Sequence, residues 1–289
     1  MKYIAKWIFV FSWIFIHLSI SAQEKRSLTP DDMPGWKNLK GAKISNNGKW
    51  MTFQVSPNVG DGLLYVKKPD AGIEKQFERG YKAVFSPKSN YVVFMIKPHL
   101  DSLRKAKLDK LPKSKWPQDT LAIYVFDQDT LMKFEGIKSF KVSDEGSDWL
   151  TFQYKKPQKS KPSALAGKKK KKKKKSKKDN KPVSKKKPIK RKTSDLVMFN
   201  PVSGEKKQIK NVIEYSISEY GNSIGYIRSF GDTIDSVGVY WFDNRSGTID
   251  TSYIGLGNAK KPTFSEDGQE FVWIHSADTG KAKAYSLYS

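Results

Sequence analysis

The strongest constraint on this chain is a repeat. Five segments share one order: a short strand ending in serine, a tight polar turn, then an aromatic-rich strand. They span 43–53, 84–94, 141–152, 216–226 and 263–273. The anchoring serines are Ser45, Ser86, Ser143, Ser218 and Ser265, separated by 41, 57, 75 and 47 residues. A period of roughly 40–50 residues is that of a four-stranded propeller blade. Each long spacing has a visible cause. One holds a charged helical insertion at about 99–115, and the other holds a lysine-rich tract.

The repeat has a simple chemistry. Glycine at 48, 146, 221 and 268, with Asn90 in the second unit, is expected to supply the positive φ of a tight hairpin. Neighbouring Asp, Asn and Ser side chains satisfy backbone N–H groups in such turns. The β-branched and aromatic residues that follow suit a central strand. Third strands are expected at 63–66, 122–126, 196–199 and 239–242, each followed by a turn and a short fourth strand. The fold class is therefore all-β. We expect a β-propeller of four-stranded blades, with about four and a half blades in an incomplete ring. One short helical insertion and one disordered Lys-rich loop would interrupt it. A β-sandwich also has many short strands, but it does not predict a recurring Ser–turn–aromatic unit.

The net charge of +25 belongs mostly to one place. Between Lys155 and Lys192 there are 21 Lys or Arg residues against one acid, Asp179. Eight consecutive lysines occupy 168–175. Like charges repel and little apolar surface is available, so the tract is expected to be disordered. It reads as a solvated loop emerging between two strands of a blade, with an anionic envelope surface, through headgroup attraction, as the alternative partner of Lys155 to Lys192. It has no interleaved aromatics for stacking on bases, so no nucleic acid is expected.

The chain has no cysteine, which excludes disulfides, Cys-ligated zinc, thiol catalysis and a cysteine-anchored lipoprotein. At the amino terminus Lys2 and Lys6 precede an apolar run over 7–20, then small residues to Ala22 and the polar run from Gln23. That order is a secretory signal peptide, with cleavage after Ala22. The run falls short of the ~20 residues that span a bilayer. The chain is thus expected to be exported, to the periplasm or beyond. The expected organisation is a signal peptide at 1–22, an N-terminal segment at 23–40 and blades at 41–154. The Lys-rich insertion follows at 155–193, and truncated blades at 194–289.

With these residues in view, the repeat resembles the propeller blades of the prolyl oligopeptidase (S9) family of serine peptidases, and the related TolB-type propellers. Leu28, Thr29, Pro30, Asp31 and Asp32, followed by Trp36, resemble the opening stretch of exported bacterial S9 peptidases. Gly48-Lys49-Trp50 does too, as do 117–123 after the helical insertion and the lysine tract itself. The resemblance covers 28–289. It implies a propeller that gates a carboxy-terminal α/β-hydrolase domain with a Ser-Asp-His triad. That domain is absent from this sequence, so the chain alone is expected to be an inactive fragment. Peptide substrates would be partners through the missing domain. The alternative is a TolB-like propeller acting as a protein-binding scaffold in the envelope.

No catalytic, cofactor-binding or metal-ligating residue is assigned, and no cofactor is expected. Residues 221–225 match G-x-S-x-G, but that motif works only at a strand-to-helix elbow. Here it falls on the fourth repeat's hairpin turn. His99 and His275 read as strand-end or surface histidines without a role. Leu100, Leu103, Leu108 and Leu111 would form one apolar helix stripe, packed on the propeller rim.

Overall fold

The computed structural model describes residues 27–155, 192–230, 236–278 and 282–289. The expected signal peptide, and 156–191 of the lysine tract, lie outside the described residues. The chain divides into two units, 1–36 and 37–289. The first contains a 3-10 turn, Pro30–Gly35. The Thr29 backbone N–H and hydroxyl both donate to Asp32 Oδ2, at 2.9 and 3.0 Å.

The second unit is built of antiparallel meanders. The first sheet is β1 (Lys37–Ile44), β2 (Met51–Pro57), β3 (Leu63–Lys68) and β4 (Ile73–Glu78), paired in chain order. β1 thus starts inside the segment assigned by sequence to 23–40. The second sheet is β5 (Gly80–Phe85), β6 (Tyr91–Ile96), β7 (Thr120–Val125) and β8 (Thr130–Glu135). The next sheet has seven strands: β9 (Ile137–Val142), β10 (Leu150–Tyr154), β11 (Ser194–Phe199), β12 (Lys206–Ile217), β13 (Ser223–Phe230), β14 (Ser236–Asp243) and β15 (Ile249–Leu256). β16 (Asn258–Phe264), β17 (Phe271–Ser276) and β18 (Ser286–Tyr288) form the last sheet.

The seven-stranded sheet is two blades joined through one strand. The start of β12, Lys206 to Ile209, pairs with β11, Val212 pairs with both β11 and β13, and Glu214 to Ile217 pairs with β13 alone. Between the halves Asn211 turns the chain at φ 60°. The same left-handed step marks the other blade junctions, at Arg79 (φ 59°), Gly136 (φ 67°) and Gly257 (φ 114°). Among the described residues, the second unit therefore holds four four-stranded blades and three strands of a fifth. This is the all-β propeller architecture, with the ring unclosed.

The serines anchor the turns as their recurrence suggested. Ser45, Ser86, Ser218 and Ser265 each donate their backbone N–H to the carbonyl five residues on, at 2.9–3.0 Å. Each Oγ accepts the N–H of that same residue, at 2.9–3.2 Å. The third turn is one residue longer, so Ser143 Oγ donates to Ser147 O at 3.2 Å instead. One expectation needs correction. The positive φ of the second turn lies on Ser89 (φ 59°), not Asn90. Ser89 is three residues past its anchor, as Gly48, Gly146, Gly221 and Gly268 are past theirs. Ser218→Ala should cost about 1 kcal/mol, because a buried N–H loses its acceptor. An unchanged urea midpoint would refute the anchoring role.

Packing follows the strand order. The second strands of the inner blades, β6, β10 and β13, are buried on both faces over nearly their whole length. In β17 buried and half-buried residues alternate from Phe271 to His275, and in β2 only Thr52 is fully buried. One face of each end sheet is thus open. Between the first and second sheets Trp50, Leu64, Val66, Phe85 and Phe94 form one cluster, and Trp50 stacks on Phe126 at 3.9 Å. Phe152, Tyr91 and Leu121 centre the next cluster.

Candidate functional site

The serine turns meet in series. Asn46 Nδ2 donates to Pro87 O at 3.0 Å, and Asn90 Nδ2 to Asp148 Oδ2 at 2.9 Å. Glu145 N–H donates to Glu219 O at 2.9 Å. In an antiparallel meander the connection between second and third strands leaves from the opposite end. Both insertions use that connection. Helix α1 (Leu100–Leu108) lies between β6 and β7, and the lysine tract between β10 and β11.

A pocket of about 270 Å³ opens at this end of the first two sheets. Lys40 of β1, Gln54 and Ser56 of β2, the loop Gly60, Asp61 and Gly62, the junction residue Arg79, and Lys97 line it. Its lining is predominantly polar. Gly62 is required here, because a Cβ would sit 2.5 Å from Ser56 Oγ and 2.9 Å from Val55 O. The Gly62 carbonyl accepts the Arg79 N–H at 2.7 Å, and the Arg79 carbonyl accepts the Lys97 N–H at 3.0 Å.

Arg79 is the unusual member. Gly or Asn fills the left-handed position at the other three junctions. A larger side chain there costs on the order of 1 kcal/mol. Its guanidinium is held by three groups. Nε donates to Lys97 O at 3.1 Å, and Nη1 lies 3.3 Å from Glu78 Oε2 and 2.5 Å from His99 Nε2. Arginine only donates, so His99 Nε2 is the acceptor. The ring proton then sits on Nδ1, 3.2 Å from Asp61 Oδ2. Asp61 Oδ2 also accepts the Leu100 N–H at 3.5 Å, which ties α1 to the pocket rim. Beside Lys97, the Tyr81 ring lies under its ammonium at 5.0 Å and under that of Lys82 at 5.7 Å. Burial, then a 2.9 Å hydrogen bond to Asp119, pushes the Tyr81 hydroxyl up to about 12.

His99 belongs to this pocket's rim and is oriented by two partners, which the sequence did not indicate. His275 is 5% exposed inside β17, against the Tyr253 ring at 4.5 Å, with Nε2 3.0 Å from Leu256 O. It is a buried strand residue rather than a surface one. Ser223 of the G-x-S-x-G match opens β13 after the hairpin turn at Gly221 (φ 64°), and is 2% exposed. The expected helix stripe is only half present. Leu100 and Leu103 are half-buried and Ala106 is buried, but Leu108 is 80% exposed. At about 100° per residue, Leu108 lies on the opposite side from Leu103 and Ala106. Among the described residues, no group of three His, Asp or Glu could hold a metal.

Sequence reasoning did not single out Lys40, Asp61, Arg79 or Lys97. The one available signal was Arg79-Gly80 at a blade junction, where the other junctions carry Gly or Asn.

No protein-family model matches the chain, and no curated protein matches it. Solved structures do. The β-propeller domain of the Trilobed protease from Pyrococcus furiosus has a TM-score of 0.42 and 9% identity, over 88% of this chain and 69% of that one. Pyrococcus horikoshii acylaminoacyl peptidase has a TM-score of 0.42 and 11% identity, over 89% of this chain. This chain spans 39% of that peptidase. TolB from Acinetobacter baumannii has a TM-score of 0.32 and 11% identity, over 88% of this chain and 52% of that one.

Proposed function

We propose that this chain is the substrate-gating propeller portion of an exported S9-type serine peptidase, with catalysis carried by a hydrolase domain outside this sequence. The observation that carries the reading is the placement of the two insertions. They arise in equivalent connections of successive blades, at the end where a polar, cation-lined pocket opens. Elaborated loops on a rigid sheet scaffold are where recognition is built. The stretch from Leu28 to Trp36 and the leader supply the family resemblance and the export signal. In this role the blades admit and orient peptides and perform no bond chemistry.

Fluorophosphonate labelling tests this. The native polypeptide carrying this sequence, captured with an antibody to 37–155, should become covalently labelled at a serine outside 1–289. A folded native product that resists labelling overturns the peptidase reading, and a scaffold role in the envelope would then replace it.

A further inference from the structure

We infer that the pocket beside Arg79 is a carboxylate-binding site, taking the free carboxyl terminus of a peptide. Lys40, Arg79 and Lys97 converge on it, and Asp61 and Glu78 are the acids at its edge. Three cations against two acids leave a single positive charge, which matches a singly charged carboxylate better than a phosphate dianion. Among the described residues Lys40 and Lys97 have no acidic partner within ion-pair distance.

Arg79 supplies the geometry. Its Nε and Nη1 are committed to Lys97 O, Glu78 and His99, which fixes the plane of the guanidinium. Nη2 has no acceptor among the described residues. A guanidinium locked in this way loses little freedom on binding and offers directional donors to a planar carboxylate. The Ser56 hydroxyl, which accepts from Gln54 Nε2 at 2.8 Å, keeps its own proton to donate. The strain at Arg79 fits the same account. A left-handed position that Gly fills at two other junctions is given to a residue whose side chain the pocket uses. The volume of about 270 Å³ lies just below the usual small-molecule range, and suits one terminal residue rather than a whole ligand.

Carboxylate recognition stands on these residues alone; the peptide as its source rests on the reading proposed above. Calorimetry on the full chain separates them, with acetyl-Ala-Ala, its C-terminal amide, acetate and inorganic phosphate as probes. Acetyl-Ala-Ala should bind at least about tenfold more tightly than its amide, the gap expected when a charge-assisted hydrogen-bond pair is lost. Arg79→Gly should abolish that difference while keeping the fold, since Gly suits φ 59°. Lys97→Met should weaken binding with the backbone at Arg79 untouched. Equal binding of acid and amide, tighter binding of phosphate, or an unchanged affinity in both variants would overturn the carboxylate site. Acetate binding as tightly as acetyl-Ala-Ala would overturn the peptide terminus as its ligand and leave the site itself standing.

Discussion

Phe85→Ala is expected to destabilise the protein by about 3–5 kcal/mol, whereas Ile44→Ala is expected to change stability by less than about 0.5 kcal/mol. The two residues hold the same place in the repeat, immediately before the anchoring serine. Sequence alone gives them equal weight. Phe85 is 9% exposed, in the cluster with Trp50, Leu64 and Phe94, with its ring 6.2 Å from that of Phe126. Truncating it removes buried area and leaves a cavity that a two-sheet interface closes only partly. Ile44 is 69% exposed, on a strand with every residue exposed. The difference comes from the neighbour. The second sheet has the first packed against this position, and the first sheet has its open face there. Urea unfolding with tryptophan fluorescence measures both variants, the shift in midpoint at constant slope giving the change in stability. A cost for Ile44→Ala comparable to that of Phe85→Ala would mean that the open face is covered in solution.

The fold was largely legible because the repeat encodes it twice. The anchoring serines mark hairpins, and the apolar runs that follow mark strands needing cover on both faces. Third strands expected at 63–66 and 196–199 form within Leu63–Lys68 and Ser194–Phe199. Three details escaped for physical reasons. The turn geometry fixes the left-handed residue by its offset from the anchor, so Ser89 takes it although Asn90 is intrinsically better suited. β12 continues through a blade boundary because Asn211 steps the backbone within an unbroken strand run, and no glycine announces the break. The leucines of α1 admit two faces of one helix, and packing chose the face holding Leu103 and Ala106.

The pocket was illegible for a different reason. Lys40, Asp61, Arg79 and Lys97 lie far apart in sequence, on strands and loops of two sheets, and nothing in their spacing joins them. His99 showed the limit most plainly. Its partners, Asp61 and Arg79, come from the loop before β3 and the junction after β4. Only the meander brings those segments to one end.

Raising the pH should unfold the protein cooperatively between about pH 10 and pH 12. Burial pushes the Tyr226 hydroxyl up to about 12, and burial with the charge of Asp148 nearby pushes Tyr91 well up. Burial raises Tyr215 as well. These side chains are 2%, 0% and 8% exposed. Above the ordinary tyrosine value of about 10 the unfolded chain ionises while the folded chain stays neutral. The folded state then holds more protons, so stability falls as pH rises. Each such tyrosine removes about 1.4 kcal/mol per pH unit until its own folded value is reached. For Tyr226 that totals about 3 kcal/mol. Tyr91, pushed well up, adds its own loss across the same range, and together these draw down a typical stability of about 5–15 kcal/mol. The check is to follow far-ultraviolet circular dichroism and phenolate absorbance in one titration. The buried tyrosines should ionise at the same pH at which the sheet signal is lost. Tyr226→Phe keeps the ring stacked on Tyr240, 5.2 Å away in the parent, and should move the transition to higher pH. Complete phenolate formation with the sheet signal intact would show that these hydroxyls reach water in the folded state, and the burial argument would fail.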